Sequence, residues 1–262
     1  MKATRRQAVA GIGAVLLPLP SIAKEPRRLF FIGNSFLAEH EIPARVLDLL
    51  KAGQIGAGSD DPGPTIWTRT RNGASLTDHV SDGDVLARIR QFRPDTIVLQ
   101  DYSTEPLTEQ GRARSDAAIG RILDVTDACP VFVATWPRAP RHKLYRYQGM
   151  PKTPAEMSTT VQAHFEAMAE RHGGVVAPVG AAWLNFMRRQ AELSDDYVVQ
   201  TQLWARDGYH ASEGGACLVS LTIAAALGAD IANMSLPAAG PWQEIRQAVL
   251  KVRPTPVTHC AR

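Results

Sequence analysis

Residues 27–40 read RRLFFIGNSFLAEH. Leu29, Phe30, Phe31 and Ile32 form an apolar run that stops at Gly33, and a polar Asn34-Ser35 pair follows at once. A short, wholly apolar run bounded by a turn residue is the profile of a strand covered on both faces, as in parallel sheets. In open sheets of that kind, ligands gather beyond the carboxyl ends of the strands. A small hydroxyl at that point is either the cap of the next helix or a group placed to meet a ligand. Gly33 is expected to let the backbone turn and to leave room for a substrate.

Working outward, strand and helix signals alternate. Apolar or Thr-rich runs predict strands at 28–32, 65–70, 95–100, 131–135 and 175–177. Helical spacing of apolar residues predicts helices at 42–50, 84–92, 109–128, 155–171, 183–193, 212–227 and 242–252. The Gly-, Asp- and Pro-rich stretch 53–64 predicts a loop. Such alternation implies parallel pairing through right-handed crossovers. The expected class is α/β, a three-layer α/β/α sandwich around a mainly parallel sheet of about five strands.

Residues 1–23 have a basic start, an apolar middle at 8–19 and a small-residue end at Ser21-Ile22-Ala23. That is the pattern of an export signal. The apolar part is shorter than the roughly 20 residues a bilayer core requires, so no stable membrane anchor is expected once the signal is removed. Thr4-Arg5-Arg6-Gln7 resembles the twin-arginine signal of bacteria, and the protein is expected to be periplasmic or secreted. One domain is expected over 24–262. Without residues 1–23 the chain has 26 basic and 26 acidic residues, so nothing electrostatic supports a nucleic-acid partner. The three cysteines, Cys129, Cys217 and Cys260, allow one disulfide without indicating a pair. No CxxC or HExxH spacing suggests a metal.

Four stretches could carry chemistry. Ser35 is a candidate nucleophile, since a helix start favours the negative charge that develops in ester attack. Near the other end, ARDGYHASEGG places Asp207 three residues before His210. A serine nucleophile needs a base, and a neutral histidine needs an orienting acceptor. In TRNGASL, Gly73 follows the second strand, and in IVLQDYS, Gln100 ends the third. A glycine N–H and a side-chain amide suit an oxyanion. Taken singly, each has a plain structural reading as cap, turn or strand-end residue.

Taken in order, Gly33-Asn34-Ser35-Phe36, Gly73, a polar strand end at Gln100 and Asp207-Gly208-Tyr209-His210 resemble the SGNH/GDSL hydrolase superfamily over nearly all of 24–262. The resemblance implies an SGNH or flavodoxin-like sandwich and ester hydrolysis through an acyl-enzyme, without a cofactor. It implies Ser35 as nucleophile, His210 as base and Asp207 as orienter, with Ser35 and Gly73 N–H groups as oxyanion donors. Two departures stand out. Asn34 occupies the usual Asp position, and LQDYS replaces the block whose asparagine gives the third donor, leaving Gln100 as the substitute.

The stretch 136–153 holds Trp136, Arg138, Arg141, Lys143 and Arg146 and no acid. Loops after strands carry specificity, and arginines hold carboxylates or phosphates. Asn34, Trp136, Arg138 and Trp204 are therefore expected at the substrate, a small-molecule or glycan ester. Two other readings remain open: an acyltransferase on the same site, and an inactive exported glycan-binding protein.

Overall fold

Alternate side chains of the first strand enter two different cores, and this divides the molecule into layers. The computed structural model describes residues 28–53, 63–236, 241–252 and 255–256. The expected signal at 1–23, most of the loop expected at 53–64, and Cys260 lie outside the described residues.

The strands are β1 (Arg28–Gly33), β2 (Thr65–Thr70), β3 (Thr96–Leu99), β4 (Cys129–Val133), β5 (Val175–Ala177) and β6 (Thr255–Pro256), in the order β2-β1-β3-β4-β5-β6. The first five run parallel, as expected. The two-residue β6 pairs antiparallel with β5 at the edge, and is too short to carry a periodicity. Among the described residues the helices are α1 (Ser35–Ala38), α2 (Ile42–Gly53), α3 (Leu76–Ser81), α4 (Asp84–Phe92), α5 (Glu109–Leu123), α6 (Pro154–His172), α7 (Val179–Leu193), α8 (Tyr197–Gln200), α9 (Glu213–Ala226) and α10 (Trp242–Leu250).

Leu29 and Phe31 of β1, with Val98, Val131 and Val133, pack against Val46 of α2, Trp183 and Phe186 of α7, Leu218 of α9 and Ile245 of α10. Phe30, Ile32, Ile97, Leu99 and Phe132 pack on the other face against Leu76 of α3, Ile89 of α4, Ile119 of α5 and Phe165 of α6. This is the three-layer sandwich. β3, β4 and β5 are wholly buried, which is why they read as unbroken apolar runs. β2 lies at the sheet edge and is only partly covered, which fits its alternating, Thr-rich sequence. α9 is buried almost all round and packs on α2, α7, α10 and β5, as a helix without a polar face must.

Three short helices were not expected, the four-residue α1 among them. α3 is opened by a capping box: Ser75 Oγ accepts from Asp78 N at 3.2 Å, and Asp78 Oδ2 accepts from Ser75 N at 2.8 Å. α8 spans four residues, capped by Asp196. The helix expected to reach residue 128 stops at Leu123, and β4 begins two residues earlier than expected.

Candidate active site

The carboxyl end of β1 is built around Gly33. Its carbonyl accepts from Arg71 N at 3.1 Å and from the buried imidazole of His79, Nε2, at 2.8 Å. A Cβ at Gly33 would lie 2.6 Å from Gln100 Oε1 and 2.8 Å from Leu37 Cδ1. The glycine is therefore required by room beneath it. That room is taken by Gln100 and Leu37, which corrects the expectation that the glycine leaves space for a substrate.

Asn34 caps α1, with Oδ1 accepting from Phe36 N at 3.1 Å. Its Nδ2 donates to the Ala74 carbonyl at 2.9 Å, tying the end of β1 to the loop after β2. Ser35 is then the first residue of α1. Neither its backbone N–H nor that of Gly73 is engaged by another group among the described residues.

The Ser35 hydroxyl lies 2.9 Å from His210 Nε2. His210 Nδ1 lies 2.7 Å from Asp207 Oδ2. With the proton on Nδ1, the ring donates to Asp207 Oδ2 and Nε2 accepts from the Ser35 hydroxyl, the arrangement a serine triad uses. The other oxygen, Asp207 Oδ1, accepts from Tyr209 N at 2.9 Å and His210 N at 3.0 Å. Burial pushes the Asp207 carboxyl up, but these N–H donors and the imidazole outweigh it and hold it below its ordinary range. A second carboxylate, Glu39, approaches His210 Nε2 to 3.3 Å.

The loop carrying His210 is fixed from behind. Trp204 and Ala211 form an antiparallel bridge, and Ala205 N donates to the His210 carbonyl at 2.9 Å. Trp136 Nε1 donates to the Tyr209 carbonyl at 2.9 Å. Phe36, next to the serine, stacks on Trp136 at 4.2 Å, and Trp136 stacks on Trp183 at 5.0 Å.

Ser35 and His210 open into a cavity of about 250 Å³, also lined by Asn34, Glu39, Asn72, Gly73, Tyr102, Ser103, Arg138 and Tyr209. A larger, more open groove of about 1070 Å³ lies between α5 and α6, but no hydroxyl on its walls has a base set against it as Ser35 does. Of the expected site residues, the structure brings Asn34, Ser35, Gly73, Arg138, Asp207 and His210 together. Gln100 is a correction: it does not line the cavity. Its Oε1 accepts from Asn34 N at 2.9 Å, and its amide donates to the Asp101 carbonyl, so the amide is occupied inside the strand end. Trp136 and Trp204 are also corrected. Both indoles are buried in the core, and Trp204 Nε1 donates to the Pro137 carbonyl at 2.8 Å. Glu39, Asn72, Tyr102, Ser103 and Tyr209 were not anticipated. All five lie within stretches already singled out, at strand ends or beside His210. Glu39 is the extended residue that ends α1, its N–H donating to the Ser35 carbonyl.

Ser35, His210 and Asp207 thus meet at the carboxyl edge of a doubly covered parallel sheet, spaced as the members of a serine triad are. No family model and no curated protein matches the chain. Solved structures do. A candidate SGNH hydrolase from Slackia heliotrinireducens aligns at 24% identity over 77% of this chain and 99% of its own, with a TM-score of 0.59. A DUF4886 family protein from Bacteroides uniformis aligns at 16% identity over 86% and 93%, with a TM-score of 0.63. A variant of an acetyl xylan esterase from Geobacillus stearothermophilus aligns at 14% identity over 81% and 97%, with a TM-score of 0.54. At these identities the likeness is one of fold, a three-layer fold shared with the SGNH hydrolase candidate and the acetyl xylan esterase.

Proposed function

We propose that this protein is an exported serine esterase of the SGNH type, acting through an acyl-enzyme on a small or carbohydrate-linked ester. The observation that carries the reading is the Ser35–His210–Asp207 relay, 2.9 and 2.7 Å between its members, opening into a cavity beside two free backbone N–H groups. In this reading His210 Nε2 takes the hydroxyl proton as Ser35 Oγ attacks the ester carbonyl. The N–H groups of Ser35 and Gly73 face the oxyanion, with the Asn72 amide as third donor in place of Gln100. His210 then returns the proton to the leaving alcohol, and water repeats the sequence on the acyl-enzyme. The named activity of the acetyl xylan esterase of like fold supports a deacetylase on a glycan. Among the described residues no helix is long and apolar enough to cross a membrane.

The test is release of p-nitrophenol from p-nitrophenyl acetate by the protein, with its Ser35→Ala and His210→Ala variants alongside, and by the extracytoplasmic fraction of producing cells. The expected result is turnover that each substitution lowers by about 10³-fold or more and that resides in that fraction. Turnover unaffected by both substitutions would overturn the assignment.

A further inference from the structure

Arg138 forms part of the cavity wall and is only 6% exposed. Its Nη2 donates to Ser103 Oγ at 2.8 Å. Its Nη1 is closed off from solvent and has no hydrogen-bond partner among the described residues. The guanidinium lies over the rings of Tyr209 and Phe36, 4.7 and 5.4 Å from their centroids. Two carboxylates share the site, and both face His210: Asp207 at Nδ1 and Glu39 at Nε2. Among the described residues Arg138 makes no ion pair.

A buried cation without an ionic partner is costly, and ring faces answer it only weakly. Burial accordingly pushes the guanidinium below its usual range, against the opposing pull of Tyr102, Tyr145, Tyr209 and Asp207. A planar fork with one nitrogen held by a serine hydroxyl and the other unbonded is the half-made version of an arginine–carboxylate contact. Arg138 lines the same small cavity as the Ser35 hydroxyl, so a substrate group that reaches its guanidinium sits in the cavity that holds the scissile bond.

Resting on the esterase reading, we propose that the ester this site takes carries a carboxylate, held by Arg138 with Ser103. The carboxylate belongs either to the acyl group, as in a half-ester of a dicarboxylic acid, or to the alcohol, as in an acylated hydroxy acid or acidic sugar.

The experiment compares charged and neutral twins on each side of the bond. On the acyl side, mono-p-nitrophenyl succinate is set against p-nitrophenyl succinamate. On the alcohol side, 4-acetoxybenzoate is set against 4-acetoxybenzamide. Wild-type protein is expected to favour the charged twin in one pair by about tenfold or more in kcat/KM, and that pair tells which side bears the anion. The charged-to-neutral ratio is expected to fall towards one in Arg138→Met and partly in Arg138→Lys and Ser103→Ala. Wild-type indifference, or preference for the neutral twin in both pairs, overturns the proposal even if no Arg138 variant folds. So does an unchanged ratio in a folded Arg138→Met. If no ester is turned over, the esterase reading fails by itself. Calorimetric binding of benzoate against benzamide, and of succinate against succinamide, then decides the anion site. Binding of a carboxylate that Arg138→Lys weakens supports it, and absence of binding by the wild type overturns it.

Discussion

Asn34 donates through Nδ2 to the Ala74 carbonyl while its Oδ1 accepts from Phe36 N. An aspartate could keep only the second bond, and at a position 2% exposed it would set a carboxylate against a carbonyl oxygen. Asn34→Asp is therefore expected to displace the loop that presents Gly73, lowering kcat on p-nitrophenyl acetate by about tenfold or more and stability by about 1–3 kcal/mol. Steady-state rates and a thermal melt would show it, and wild-type behaviour in both would remove the clamp from the account. At this scale the sequence was informative where chemistry restricts the residue type. Ser35, Asp207 and His210 could be singled out because a hydroxyl, a base and an orienter have few substitutes. Gln100 could not be resolved, because its residue type is compatible with facing either a pocket or the backbone, and only the packing beneath Gly33 decides. The tryptophans misled for a related reason. An indole serves equally as a sugar platform and as a core filler whose N–H needs one carbonyl, and Trp136 and Trp204 are the latter.

At the scale of elements, the segment between α1 and α2 is strained. His40 and Glu41 have φ of 58° and 52°, values uncommon outside glycine. The segment is held from α9: Glu213 accepts from Arg45 Nη2 at 2.7 Å and meets His40 Nδ1 at 3.0 Å, and His40 Nε2 lies 3.1 Å from the Ala211 carbonyl. This clasp joins the segment that follows the Ser35 helix to the residue after His210. Glu213→Ala is expected to cut kcat about 3–10-fold by loosening the Ser35–His210 approach. Because Glu213 is exposed, stability should change by less than about 1 kcal/mol. An unchanged kcat in a folded variant would show that the clasp does not set that distance. Most elements were legible because their apolar runs and helical periods are long. α1, α3 and α8 were not, since four to six residues hold too little periodicity, although the Ser75-x-x-Asp78 cap marked α3. The strand that begins at Cys129 was read two residues late because Pro130 interrupts its start.

For the molecule as a whole, the buried His164 ties stability to pH. Its Nε2 lies 3.1 Å from Ser115 Oγ between α6 and α5, and burial, helped by Arg112, lowers its pKa to about 4. The folded state thus prefers the neutral ring more than the unfolded chain does. That contribution is complete above the ordinary histidine pKa of about 6.5, is lost progressively as pH falls from there, and stops changing below about 4. Of the order of 3 kcal/mol should disappear across that window. Denaturant midpoints at pH 7 and pH 5 should fall further for wild type than for His164→Gln; equal falls would assign the acid sensitivity elsewhere. The sandwich also brings together a hydroxyl and a base 175 positions apart in the chain. On the esterase reading, a nascent chain that has completed its five parallel strands owns a nucleophile and nothing to deprotonate it. Hydrolytic power arrives only once the His210 loop has been made, so a product cut short before it would be silent towards the cell's own esters rather than partly active.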